Sequence, residues 1–511
     1  MRLIQRPTRV LQTLAGLFTL TLASSVWAAN AAPAKTAADT AMGQKCVSCH
    51  GPDDEPGIYV EWKNSSHAAN NVDCYDCHKV KEGDKAGFRH NGALIQVIPT
   101  PKTCATCHET EVAQQQRSHH AKAGNILASV DNLLGEVIGG PAAVNAGCKQ
   151  CHGSTVELDA NNRPTPQTWP NTGIGRKNVD GSLGSCSACH ARHSFSSAQA
   201  RTPDTCGKCH MGPDHPQIEI YNESKHGIAF RASRDRMGLD KDEWILGKDY
   251  SAAPTCATCH ISGHMGPNGM VKGGTHDVGE RISWTLRPVI SVKLNNVAYT
   301  DGFKEDYPHT RDLPKVGEKV MTVEKVVEND ILASKKVERT VAKITPWEER
   351  RGKMQAVCAN CHGPSFIDGF YRQFDSLVDL YNDKFAKPAK EIMDELKADG
   401  ILSAKAPFEH KVQWDFWELW HHEGRRARHG ASMMGPDYTH WHGMYEVSKH
   451  YYLNFLPNAV KAAKEKSPEL GKKWQAKVDD LMARPEHLWQ KGLSKEEIER
   501  LKKEYEERYN Q

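Results

Sequence analysis

From Pro346 to the end of the chain, apolar residues return every three or four positions. The stretches 347–362, 376–399, 412–429, 441–455, 470–482 and 495–509 all follow that period, which predicts a helical C-terminal region over 346–511. Upstream the pattern changes. The stretch 289–341 is rich in Val, Lys and Thr, and Met321 and Val323 alternate with Thr322 and Glu324 just before Val326 and Val327. That alternation predicts an inserted hairpin or small sheet over about 291–345, with a solvated structural appendage as its default role. Over residues 29 to about 290 the chain reads as loops and short helices. The fold class expected is mainly α, with a small β insertion.

At the start of the chain, Arg2, Arg6 and Arg9 precede an apolar run from residue 10 to 23, and Val26-Trp27-Ala28 offers small side chains at a cleavage point. Residues 1–28 therefore read as a secretory signal that sends the protein to the periplasm. A membrane anchor is the alternative, but Gln12 and Thr13 interrupt a run that is already short for a spanning helix.

The composition sharpens this picture. Lys and Arg number 66 against 63 Asp and Glu, so the net charge of +3 points to neither nucleic acid nor an anionic membrane as a partner. Only 39% of 511 residues are hydrophobic, a small aliphatic core for such a length, so something else must fill the interior.

The sixteen cysteines supply it. All fall in Cys-x-x-Cys-His pentapeptides: Cys46, Cys49 and His50; Cys74, Cys77 and His78; Cys104, Cys107 and His108; Cys148, Cys151 and His152; Cys186, Cys189 and His190; Cys206, Cys209 and His210; Cys256, Cys259 and His260; Cys358, Cys361 and His362. None is left over for a disulfide framework or a lone reactive thiol. Two thiols three positions apart on a helical turn can each add to a heme vinyl group, and the next histidine then reaches the iron. A zinc ribbon or a redox pair uses Cys-x-x-Cys without needing His after every pair. Eight c-type hemes are the expected cofactors, and eight porphyrins are the missing apolar payload.

An iron with two axial ligands carries electrons; one with a single ligand keeps an open face. Of the 26 histidines, eight follow the cysteine pairs and the remainder are candidates for the far side. Short polar contexts close to the motifs single out His67, His90, one of His119 and His120, His193, His226, His276 and His429. Those are seven distal ligands for eight irons.

The order of motifs resembles the octaheme hydroxylamine oxidoreductase family across most of the chain. The cues are motifs five and six joined through Arg192-His193-Ser194-Phe195-Ser196, Asp214-His215 just after motif six, Ser224-Lys225-His226-Gly227, Ala253-Pro254-Thr255 before motif seven, and a helix-rich tail. The resemblance implies that the heme on Cys148 and Cys151, with His152 beneath it, is the catalytic one, and that the seven distal histidines are those named above. It also implies that Asp214 and His215 are the active-site pair, which suits proton-coupled chemistry at nitrogen. Oxidative members carry a tyrosine from a neighbouring subunit bonded to the catalytic porphyrin, and Tyr438 is the matching residue. The segment from His429 to Tyr438 is shorter here than in the oxidative pattern and the residues beyond differ, which implies a reductive member that converts nitrite or hydroxylamine to ammonium. The resemblance further implies a homotrimer.

Three functions therefore compete: redox chemistry on a small nitrogen compound with electrons exchanged with an exported cytochrome c or a quinol-linked partner, running reductively or as hydroxylamine oxidation with a cross-linked heme; a pure electron conduit; and chemistry on a sulfur oxyanion such as tetrathionate. Proximal lysine is expected for the last, and all eight motifs here end in His.

Overall fold

A computed structural model describes residues 41–128, 130–328, 331–403 and 405–509; the expected export signal over 1–28 lies outside them. The chain is mainly α, with small sheets. Up to residue 283 the helices are mostly short turns, many of them at the Cys-x-x-Cys-His motifs, separated by loops.

The expected insertion is a five-stranded antiparallel sheet: β1 (Trp284–Thr285), β2 (Val292–Tyr299), β3 (Lys304–Pro308), β4 (Lys319–Glu328) and β5 (Ile331–Thr345). The order is β1-β2-β5-β4, with β3 also paired to β2. The sheet starts before 291 because β1, only two residues long, is too short to show a period of two. Val297, Tyr299, Tyr307 and Val341 form its own small core.

The sheet does more than stand in solvent. Asp306 on β3 accepts a hydrogen bond from His119 Nε2 at 2.8 Å and one from Arg350 at 2.9 Å. Lys304 pairs with Asp277 at 2.7 Å. The base of the sheet thus pins two of the histidine-bearing segments, 119–120 and 276–277.

The C-terminal helices pack as their periodicity predicts, with two differences. The helix α1 (Pro364–Tyr381) begins twelve residues before the apolar period becomes visible, because Pro364 sits at a helix start, where its missing N–H costs nothing. Its buried Ile367, Tyr371, Phe374, Val378 and Tyr381 fall at alternating steps of four and three. Secondly, the long helical stretches are interrupted by wider π turns at Asn382–Ala386, Glu418–Glu423, His440–Tyr445 and Tyr451–Phe455, which re-aim side chains without ending the helix. The largest core gathers Tyr381, Phe385, Leu396, Leu419, Val447, Tyr451, Phe455 and Trp474.

Inside these helices His450 lies between Glu423 Oε1 at 2.8 Å and Asp415 Oδ1 at 3.3 Å. Burial lowers its basicity, but the two carboxylates outweigh that and raise its pKa from 6.5 to about 9. Such a group contributes stability in full below the unfolded value and loses it as pH rises through the folded one. The shift corresponds to at most about 3 kcal/mol, and burial of Glu423, whose own pKa is raised, takes part of it back. The expected result is a thermal midpoint that falls between pH 6.5 and 9, and a His450→Gln protein whose midpoint is lower at pH 6.5 and flatter over that interval. An equal pH slope in both proteins would remove the assignment.

Candidate heme ligands and the Asp214–His215 site

At two of the motifs the residue just before the first cysteine caps the helical turn. Asp73 and Asp76 bond reciprocally across Cys74–His78, and Thr255 and Thr258 do the same across Cys256–His260. One turn then places both thiols on one face with the imidazole next to them. All sixteen cysteines are free of disulfides. Different motifs also meet at their thiols: Cys104 with Cys186, Cys151 with Cys209, and Cys206 with Cys256 are in side-chain contact.

Proximal imidazoles are oriented for a metal. His78, His152 and His260 each have Nδ1 against a backbone carbonyl, of Gln96 at 2.9 Å, Ala123 at 3.2 Å and Val278 at 3.2 Å. A carbonyl only accepts, so Nδ1 carries the proton and Nε2 is left as the donor atom for iron.

Four of the expected distal histidines face a motif histidine. Ring centroids are 6.1 Å apart for His50 and His90, 6.2 Å for His108 and His67, 6.1 Å for His210 and His120, and 6.1 Å for His362 and His226. Two imidazoles on opposite sides of one metal, each bonded at about 2 Å, put their ring centres about 6 Å apart. The residues therefore fit the group. His193 and His276 are electrostatic neighbours of His78 and His190 respectively. Of the adjacent pair, His120 faces His210 while His119 turns outward to Asp306.

His429 is buried, and its Nε2 has no hydrogen-bond partner among the described residues. Burial and then Arg287, Arg428, Arg425 and His215 hold its pKa well below the ordinary value. No imidazole faces it at the 6 Å spacing among the described residues. His264, four residues after His260, was not among the contexts the sequence singled out; it is buried with neither ring nitrogen bonded among the described residues.

His152 sits on a close-packed base. A Cβ on Gly153, Gly173 or Gly175 would lie 2.4, 2.0 and 2.4 Å from backbone nitrogens of Arg176, Gly153 and Gly124 respectively, and Gly153 has φ of +76°. Only glycine allows such approach. The charged groups acting on His152 are Arg287, His215 and Asp214.

Asp214 and His215 follow motif six directly. His215 Nδ1 donates to Asp214 Oδ1, and its Nε2 donates to the Cys209 carbonyl at 2.9 Å. Its ring stands edge-on to His210 at 6.2 Å. Burial alone would raise the Asp214 pKa, but His215, then His421 and Arg425, hold the carboxyl well below the usual range. Arg425 reaches Asp214 Oδ2 at 3.1 Å, and Arg426 donates to the Pro213 carbonyl at 2.9 Å. Neither arginine carries a motif that a linear reading could use.

Tyr438 lies half-buried in the short helix Pro436–Thr439, where its N–H donates to Glu223 at 3.2 Å. Its charged neighbours are Glu219, Arg426, Glu223 and Asp437.

Three family models match parts of the chain: seven-fold multi-haem cytochrome CxxCH over residues 175–313, cytochrome c3 over 98–211, and cytochrome c554 and c-prime over 19–79. A probable nitrite reductase-hydroxylamine oxidoreductase fusion protein of Kuenenia stuttgartiensis is 27% identical over 358 residues. That match covers 65% of this chain and 35% of the relative, so the chain spans about a third of that protein's length. Among solved structures, a hypothetical multiheme protein superposes with a TM-score of 0.65 at 24% identity, covering 83% of this chain and 97% of that one. A Kuenenia stuttgartiensis reducing HAO-like protein complex gives 0.55 at 20% identity, covering 84% and 86%. These structural likenesses speak for the fold.

Proposed function

Because the chain is a multiheme cytochrome c with a hydroxylamine oxidoreductase-like fold, we propose that it is a redox enzyme acting on small nitrogen compounds, reducing nitrite or hydroxylamine to ammonium. The observation that carries this reading is the Asp214–His215 pair, held between motif six and the C-terminal helices and acting electrostatically on His152. Hemes held by the other seven motifs would supply electron transfer, and one held by Cys148, Cys151 and His152 would supply the redox chemistry at the nitrogen atom.

The protein's own part is proton handling. Reducing an N–O bond consumes protons along with electrons. His215 Nδ1 is held against Asp214 and its Nε2 lies 2.9 Å from the Cys209 carbonyl; Nε2 is the atom from which the ring would pass a proton to substrate, on turning away from that carbonyl. Asp214 orients the ring and keeps Nδ1 protonated, as a carboxylate does for a catalytic imidazole. The relative's printed name, which joins nitrite reductase to hydroxylamine oxidoreductase, favours nitrogen chemistry over a sulfur oxyanion.

On this reading His90, His67, His120 and His226 would hold hemes together with His50, His108, His210 and His362, and His193 and His276 would do so with His78 and His190; His429 is the seventh expected distal ligand. The mature protein works in the periplasm with an exported redox partner, and three copies assemble through the C-terminal helices. Among the described residues no helix is long and apolar enough to cross a membrane.

Electron paramagnetic resonance of the resting protein should show a high-spin ferric component from the His152 heme. Paired assays with a strong artificial donor and acceptor should show reduction outpacing hydroxylamine oxidation, with no porphyrin adduct on Tyr438 in mass spectra of heme peptides. Eight six-coordinate irons would make the chain a conduit, and a Tyr438 adduct with faster oxidation would reverse the direction.

A further inference from the structure

The helix α2 (Gly424–Met433) begins with two arginines that both reach out of the C-terminal region to the loop carrying the active-site pair. Arg425 Nη1 contacts Asp214 Oδ2 at 3.1 Å, and its Nε donates to the Arg287 carbonyl at 2.7 Å. The same Nη1 donates to His421 Nε2 at 3.1 Å, and the guanidinium lies 5.0 Å over the Trp420 ring. His421 in turn stacks on Trp417, with centroids 3.9 Å apart and planes 20° from parallel. Arg426 holds the Pro213 carbonyl and is itself held by Glu446 at 2.8 Å.

The geometry points to Arg425 as a positioning residue that fixes the Asp214 carboxylate, and through it the ring of His215; this rests on the reading of His215 as proton donor. The terminal torsion of an aspartate is broad, so one hydrogen bond to His215 does not set the plane of the carboxylate. Here each oxygen is committed to a different partner, Oδ1 to His215 and Oδ2 to Arg425. Arg425 is only 11% exposed at its side chain and is braced by three further contacts, so it offers Asp214 a fixed point and not a mobile surface charge. The Arg425 charge also favours the ionised form of Asp214. Arg428, four residues after Gly424, makes a contrast: it donates to the carbonyls of Gly424, Pro288 and Trp420 and to Ser291 Oγ, which ties the helix to the 288–291 segment without touching the pair.

The test uses the holoprotein with Arg425→Gln, Arg425→Lys, Asp214→Asn and the Arg425→Gln/Asp214→Asn double change. Turnover of nitrite and of hydroxylamine is measured, and the Arg425→Gln protein is crystallised. Arg425→Gln should lower kcat by about 10-fold or more with KM within about twofold, and Arg425→Lys should recover most of the loss. In the Asp214→Asn background the Arg425→Gln change should alter kcat by less than about twofold, since a residue that acts only through Asp214 has nothing left to position. The crystal structure should show Asp214 turned away from His215 with every heme attached. Multiplying losses in the double variant, a KM that rises while kcat holds, or an undisturbed Asp214–His215 contact would each overturn the inference. If His215→Ala leaves turnover unchanged while Asp214 still turns away in Arg425→Gln, the proton-donor reading falls and the positioning geometry stands.

Discussion

Changing Cys148 and Cys151 together to alanine is expected to remove one heme from the mature protein and to abolish turnover of nitrite and hydroxylamine. The two thiols would be the tethers of the fourth heme; they lie on the helical turn Cys148–His152, where Cys151 also meets Cys209 of motif six. The glycine-packed base behind His152 is backbone, so it does not depend on either thiol. Intact mass should fall by one heme, and the remaining seven should keep their low-spin spectra. The same double change at Cys46 and Cys49 is the comparison, because it also costs one heme but leaves the His152 site intact; with a small diffusible donor that protein should keep measurable turnover. Full turnover after loss of the fourth heme would move the catalytic site to another motif.

His215→Ala has the second largest expected effect, a loss of turnover on the order of 100-fold or more with all eight hemes still attached. The ring makes two hydrogen bonds, to Asp214 and to the Cys209 carbonyl, and is not part of an attachment motif. Because neither partner is part of the backbone of a helix core, the change should leave folding little affected and show up in turnover. Asp214→Asn should be milder if Asp214 only orients the imidazole, as its hydrogen bond to His215 Nδ1 would let it do. Unchanged steady-state rates in His215→Ala would end the assignment, and loss of heme content would make the residue structural.

The multiheme c-type character was legible in the sequence, because an attachment motif is local: two cysteines and a histidine within five positions need no tertiary information. Some of the histidines that face a motif histidine also stood out in the sequence. His67, His90 and His226 could be picked from short polar contexts, and each faces a motif histidine. Which of His119 and His120 turns toward a motif histidine could not be read from sequence, since His119 is bound by Asp306, 187 residues away. Arg425 was invisible for the same reason, lying 211 residues from Asp214. The C-terminal helices were read correctly as apolar periods, but a π turn such as Glu418–Glu423 adds little to the period while changing which way His421 and His422 point. The sheet was visible where strands are long, in β4 and β5, and lost where β1 has two residues.

The base beneath His152 has a consequence for how the protein can vary. Gly124, Gly153, Gly173 and Gly175 bring three stretches of backbone together closer than any side chain permits. The location of the fourth motif is thus encoded by atoms that are missing, and not by a charge, a hydrogen-bonding group or a ligand. A survey of random substitutions would find these positions intolerant although none bears chemistry, and would find the exposed turns beside them permissive. Drift in the surrounding surface can therefore change partners and solubility while the fourth motif stays where it is.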